Sequence, residues 1–327
     1  MTAPLAVDLG SSFDSFQHGA QEFFHRLSEI AWPAMAIALG FYLAHLLARS
    51  RAWQNTLRAA YPDRAVPYPR IAAAELVGAG MNSVVPARIG DAAKILLAKR
   101  SIRRSTYPTV VSSFFVGSVF DTSAGILVFI YALTQGLLPQ PPELPNLPAF
   151  DIAFWAEHPS LLLFTLTVLG IAIVVTFALL ARRVEAFWNH IKQGAIVLAT
   201  PMVYLRTVAS WQGVGWVARF FALWFFLEAF NIGGSFQNVM LVMSVQTVAT
   251  ILPLTPGGAG AQQALLVATL VGPGPIAVLT YSVGQQIAIA AWTVVLGLLA
   301  LIVVFRTTDW RHLLRSASHE AEQHAGA

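Results

Sequence analysis

The 327-residue chain is 56% hydrophobic and only 11% charged, with a formal charge of +4. An ordinary soluble domain carries about 25% charged residues, so this composition excludes a water-soluble fold and points to an integral membrane protein. The absence of cysteine removes disulfides, thiolate chemistry and Cys-ligated metal centres.

Residues 1–29 are polar and mildly acidic, and read as an external N-terminal segment without the basic start or cleavage site of a signal peptide. The first clear span is 30–48. Arg49, Arg51, Arg58, Arg64 and Arg70 follow it, and arginine-rich short loops stay in the cytoplasm. Residues 71–98 are apolar but broken by Asn82, Ser83, Pro86, Arg88, Gly90, Asp91 and Lys94, with Lys99, Arg100, Arg103 and Arg104 beyond. Basic groups on both sides fit a re-entrant hairpin over about 71–104 that enters from the cytoplasm and returns to it.

Residues 107–131 span outward, and 132–158, proline-rich and without Lys or Arg, form an external loop. Residues 159–180 span back to Arg182 and Arg183; 181–210 read as a cytoplasmic connector, and 211–232 span outward again. A second interrupted segment, 236–271, is broken between Pro253 and Gly260. The last apolar stretch, 275–305, has a candidate kink at Gly284-Gln285-Gln286, and a polar cytoplasmic tail covers 316–327. All of the 20 basic residues except Arg26, Arg88, Lys94 and Arg219 fall in the cytoplasmic segments. The N-terminus is therefore expected outside and the C-terminus inside. Basic residues dispersed in this way speak against nucleic acid as a partner.

The fold class expected is an all-α polytopic membrane protein, a single helical bundle over 30–315 with two re-entrant broken-helix hairpins in an inverted-repeat-like arrangement. Backbone groups freed by Pro and Gly inside a membrane segment survive only within protein or along a wet cavity. Broken helices that meet from opposite sides are how many secondary transporters build their sites. Each returning helix starts at its break, after Gly90 or Gly260, and would aim free N–H groups and a positive dipole end at the midplane, which favours an anion.

Arg88, Asp91 and Lys94, spaced i, i+3, i+6, share one helical face. Two readings stand: Arg88 holds an anionic headgroup through its planar fork with Asp91 setting its orientation, or the three form a salt bridge that locks the hairpin. Asp121 sits mid-span and either pairs with Arg88 or Lys94 or takes up a proton. Glu75 reads as an interfacial residue and Arg219 as a snorkelling arginine. Gln262 and Gln263 either cap the helix after the second break or touch substrate. His45 is near a span end and the other histidines lie in loops or tails; none has metal-ligand spacing, and no cofactor is expected.

Asn82-Ser83-Val84-Val85-Pro86-Ala87-Arg88-Ile89-Gly90-Asp91, followed by Pro256-Gly257-Gly258-Ala259-Gly260-Ala261-Gln262-Gln263, resembles the two signatures of the lysylphosphatidylglycerol synthase transmembrane (flippase-like) family. The resemblance covers roughly 30–315. It implies a polytopic bacterial inner-membrane protein whose relatives move lipids across the bilayer. It marks Asn82, Pro86, Arg88, Gly90, Asp91, Lys94, Asp121, Pro256, Gly257, Gly258, Gly260 and Gln263 as the substrate-binding set. In the full synthases a soluble aminoacyl-transfer domain follows. No segment here is long and polar enough for one, so aminoacyl transfer is not expected. Asp91 stands where the family pattern commonly has Glu, and Gln263 near a common acidic position, so the headgroup can differ from lysyl-phosphatidylglycerol.

The function expected is a flippase-like transporter, not an enzyme, for an anionic phospholipid or a glycolipid or polyprenyl-phosphate headgroup. The alternative is an intramembrane phosphatase or headgroup transferase. That chemistry needs a nucleophile and a base, and Asp91 with Ser83 is the one set the sequence offers. A third possibility is a non-transporting partner of a lipid- or glycan-synthesising enzyme.

Overall fold

A computed structural model describes residues 25, 28–85, 89–134, 188–251, 261–270, 272 and 274–305. These form eight principal helices and no strand. They are α1 (Trp32–Ala60), α2 (Tyr68–Val84), α3 (Ile89–Ser101) and α4 (Tyr107–Thr134), then α5 (Ser210–Ala229), α6 (Phe236–Ile251), α7 (Ala261–Thr269) and α8 (Pro275–Ala300). Among the described residues, three stretches are long and apolar enough to cross a membrane: Trp32–Ala60, Tyr107–Tyr131 and Pro275–Phe305, of 29, 25 and 31 residues. About 20 residues suffice for a ~30 Å hydrocarbon core. Large apolar side chains on their outer faces, such as Leu127 at 68% exposure and Val303 at 70%, would be a liability in water and belong against lipid.

Helix α1 is longer than the sequence suggests. The span expected over 30–48 continues to Ala60 and carries Arg49, Arg51 and Arg58 on the helix rather than in a loop. The reason is local: Leu, Ala, Arg and Gln dominate 43–60, all good helix formers, and no Gly or Pro interrupts them before Pro62. Helix α5 runs antiparallel to α1 along most of its length. Ala31 N–H donates to the Ala229 carbonyl at 2.9 Å, His45 Nδ1 meets the Gly215 carbonyl at 2.7 Å, and Asn55 Nδ2 donates to the Thr207 carbonyl at 2.6 Å. The connector before α5 packs on the C-terminal end of α1 and the N-terminal part of α4, where Gln193 Nε2 donates to the Ala60 carbonyl at 2.8 Å.

The segment expected to be broken near Pro86 is two helices, α2 and α3, packed antiparallel against each other. Helix α3 starts at Ile89, so Gly90 lies in its first turn rather than before it. The approach depends on small residues. A Cβ on Gly90 would collide with the Gly78 carbonyl and lie 2.6 Å from Asn82 Oδ1; one on Gly80 would lie 2.6 Å from the Thr293 carbonyl of α8. Van der Waals contact between close backbones is what drives helix association where burial from water contributes little.

The second interrupted segment gives α6 and α7; the expected break between Pro253 and Gly260, and with it the expected start of the returning helix, lies outside the described residues. Helix α8 runs without a break through Gly284. Gly284 is helical and packs on the Phe230 ring, and the helix widens into a π turn only at Leu301–Phe305. One apolar core lies between α1, α5, α6, α7 and α8, centred on Phe226, Val242, Leu266 and Tyr281. A second lies between α1, α2, α3 and α4, centred on Trp53, Leu57, Ile71 and Val110. The expected span 159–180, the loop before it, the N-terminal segment and the C-terminal tail lie outside the described residues.

Candidate functional site

Between the two cores runs a chain of charged side chains contributed by four helices. Asp121 of α4 takes a hydrogen bond from Arg49 Nη1 at 2.8 Å and from Trp216 Nε1 of α5 at 2.9 Å. Arg49 Nε lies 3.9 Å from Glu75 on α2. Lys94 of α3 lies 3.4 Å from the other Glu75 oxygen and 3.3 Å from Asp91, and its ammonium sits 4.4 Å above the Phe114 ring. Asn82 Nδ2 closes the row on Asp91 Oδ1 at 3.0 Å. The Glu75 and Lys94 side chains are only 9% and 7% exposed. In so dry a place each charge needs its partner, because an unpaired one would cost several kcal/mol.

Asn82 is also where this row meets a polar cavity of about 450 Å³. The wall is assembled from both interrupted segments and the helices around them. The tip of α2 supplies Asn82, Ser83, Val84 and Val85; the start of α7 supplies Gln262; α6 supplies Gln246. Helix α1 adds Tyr42 and His45, α5 adds Arg219, and α8 adds Gln285 and Gln286. Arg219 donates to Gln246 Oε1 at 2.7 Å, and its guanidinium lies 5.6 Å from the centre of the Trp216 ring. The charged row thus leaves the cavity wall at Arg219, passes through Trp216 and Asp121, and returns at Asn82. Among the described residues no Asp or Glu lines the cavity, and no group of three His, Asp or Glu could hold a metal.

An apolar groove of about 200 Å³ abuts the same tip. Val77, Met81, Leu97, Val294 and Leu298 line it, and Val84 and Val85 are common to groove and cavity. A polar chamber and an apolar trough therefore share one edge.

The family model for the lysylphosphatidylglycerol synthase TM region matches residues 13–297. The chain belongs to that family. It is thus a multi-pass membrane protein related to lipid-modifying and flippase-like proteins. Neither the curated proteins nor the solved structures contain a match to it.

Seen in this member of the lysylphosphatidylglycerol synthase TM region family, the residues singled out from the sequence fall into three groups. Asn82 lines the cavity, while Gly90 makes the α2–α3 contact behind it and Asp91, Lys94 and Asp121 belong to the charged row. Gln263 is one residue removed from the wall and donates to Gln286 Oε1 at 3.1 Å. Pro86, Arg88, Pro256, Gly257, Gly258 and Gly260 lie outside the described residues.

Three placements differ from expectation. Asp121 pairs with Arg49, not with Lys94. Glu75 is not interfacial but sits between two cations. Arg219 does not snorkel outward; it faces the cavity. His45, read as a residue near a span end, lines the cavity too. Nothing within their own segments marks these placements, because their partners come from other helices. One signal was available: Arg49, Glu75, Asp121 and Arg219 are charges of both signs within or beside apolar segments, and such charges seek one another.

Proposed function

We propose that the protein is a flippase-like transporter that carries an anionic lipid headgroup through the polar cavity while the acyl chains stay in hydrocarbon. The observation that supports this reading most is the convergence of Asn82–Val85 and Gln262, from the two interrupted segments, on one chamber with Arg219 in its wall. In this reading α2–α3 and α6–α7 are re-entrant hairpins of opposite sense, entering from the cytoplasm and from outside in an inner membrane, with the N-terminus outside. Asn82 and Arg219 face the headgroup directly. Asp91, Lys94 and Asp121, with Glu75 and Arg49, hold the hairpin and orient Asn82. The groove beside Val84 and Val85 takes a hydrocarbon chain, so that the lipid straddles their shared edge.

No chemical step is assigned to the chain. An enzymatic reading would use Ser83 and His45, which line the same cavity. Yet Ser83 Oγ donates to the Ala79 carbonyl at 3.0 Å or meets Thr293 Oγ1 at 2.9 Å, and His45 Nδ1 is engaged by Gly215. A nucleophile and its base would be within hydrogen-bond reach of each other; these two have other partners.

The test is reconstitution into liposomes with an acyl-labelled fluorescent anionic phospholipid, following its movement by quenching the outer leaflet. Wild type should expose the inner-leaflet pool, and Arg219→Gln should slow this by about tenfold or more, since a bond to a charged group contributes about 1.5–3 kcal/mol. A wild-type rate equal to that of protein-free vesicles would refute transport of that lipid. Conversion of the lipid to a product of different mass would favour the enzymatic reading.

A further inference from the structure

We propose that the headgroup carried by this cavity is a phosphorylated polyol or sugar, one phosphate with several free hydroxyls, and not a headgroup bearing an ammonium. The inference rests on the reading of the cavity as the headgroup site. It starts from Gln285. This side chain is 1% exposed, lines the cavity, and neither its amide nitrogen nor its amide oxygen has a hydrogen-bond partner among the described residues. Asn82 Oδ1, on a side chain that also lines the cavity, is likewise buried without a hydrogen-bond partner, but it lies toward Gly90 of α3. Buried polar atoms are nearly always satisfied, so a wall amide with neither its donor nor its acceptor engaged calls for a ligand that both donates and accepts.

The wall as a whole repeats that requirement. It carries five amides, on Asn82, Gln246, Gln262, Gln285 and Gln286; Asn82 Nδ2, Gln246 Oε1 and Gln286 Oε1 are engaged by Asp91, Arg219 and Gln263, and the amide hydrogens and oxygens left over are donors and acceptors side by side. A hydroxyl both donates and accepts, and matches such a wall group by group. A phosphate only accepts. It suits Arg219, whose fork has a single side-chain hydrogen-bond partner, Gln246, and no carboxylate within ion-pair distance among the described residues. An ammonium only donates and needs a counter-charge. The described wall offers no carboxylate, and Arg219 would repel it. The acids of the charged row, Glu75, Asp91 and Asp121, have Arg49 and Lys94 as partners. A site lined to bond hydroxyls also rejects an analogue without them, because its own buried groups are then left unpaired.

Native mass spectrometry of the full chain in mild detergent can read this preference directly. The probe is an equimolar mixture of phosphatidylglycerol, phosphatidylinositol, phosphatidic acid, phosphatidylethanolamine and lysyl-phosphatidylglycerol. Wild type should retain phosphatidylglycerol and phosphatidylinositol about tenfold over the other three, the equivalent of one or two buried hydrogen bonds. Gln285→Leu should bring both down to the level of phosphatidic acid. Arg219→Gln should lose every anionic lipid. If phosphatidic acid or lysyl-phosphatidylglycerol binds wild type as well as phosphatidylglycerol does, and Arg219→Gln still abolishes binding, the hydroxyl preference is overturned and the headgroup site stands. If retained lipid is unselective and unaffected by Arg219→Gln, both fall. The wild-type ranking requires no variant, so a misfolded Gln285→Leu would not spoil the test.

Discussion

Arg49 and Asp121 are 72 residues apart in the chain and meet at 2.8 Å, joining the lower half of α1 to the middle of α4. Each side chain is about a quarter exposed, 26% and 27%, so the pair lies at the edge of the dry interior rather than in bulk solvent. Trp216 Nε1 takes the other Asp121 oxygen, which ties α5 to the same carboxylate. Three helices therefore depend on one acid.

Asp121→Asn should lower stability by about 2 kcal/mol, between the values typical of exposed and of buried ion pairs. Asparagine can still accept from Trp216, so the loss reports mainly on Arg49. A double-mutant cycle with Arg49→Met, followed by thermal unfolding in detergent, should give a coupling of about 1 kcal/mol or more. Additive losses would mean that the two side chains are neighbours without being partners.

Lys94 neutralises two acids at once, Glu75 at 3.4 Å and Asp91 at 3.3 Å. Lys94→Met keeps an unbranched stem but removes the ammonium over Phe114 and leaves those carboxylates facing each other across the hairpin, at a cost of about 3 kcal/mol. Adding Glu75→Gln should recover part of that loss, although Glu75→Gln alone destabilises by weakening Arg49 and Lys94 together. Scanning fluorimetry of the three variants checks the order. A double variant less stable than both singles would show that the row is not held by charge balance.

Two glycine substitutions should part company. Gly90→Ala would place a methyl group against the backbone carbonyl of Gly78 and the side chain of Asn82, and force α2 and α3 apart. A loss of about 2–3 kcal/mol is expected from overpacking. Gly40 on α1 has nothing within 4 Å of an added Cβ, so Gly40→Ala should be neutral or gain up to about 1 kcal/mol from helix propensity. Equal effects on the unfolding temperature would remove the close α2–α3 approach from the picture.

The sequence made the helical membrane fold and the interruption after Val84 legible, because Pro, Gly and charge stand out against apolar runs. The bounds 107–131 and 275–305 coincide with the apolar helices seen. The site was legible only in part. Asn82 and the Asp91–Lys94 pair could be placed because they are close in sequence on either side of one break. Arg219, Tyr42, His45 and Gln285 could not, since nothing along α1, α5 or α8 tells which face meets which neighbour. Charge alone also misplaced Arg49: the positive-inside pattern reads an arginine after an apolar run as a loop residue, while helix propensity carries α1 through it. Buried pairs of opposite charge are set by helix packing, which a single segment does not encode.

Since the chain contains no cysteine, a single one can be introduced on each side of the cavity and modified selectively. Ser83 lies at the tip of α2 and Gln262 at the start of α7. With Ser83→Cys and Gln262→Cys reconstituted separately in transport-competent vesicles, complete alkylation by a charged thiol reagent should abolish lipid movement in both. Substrate lipid should slow the alkylation at either position. Unchanged transport after full modification of both cysteines would contradict a headgroup path between the two interrupted segments.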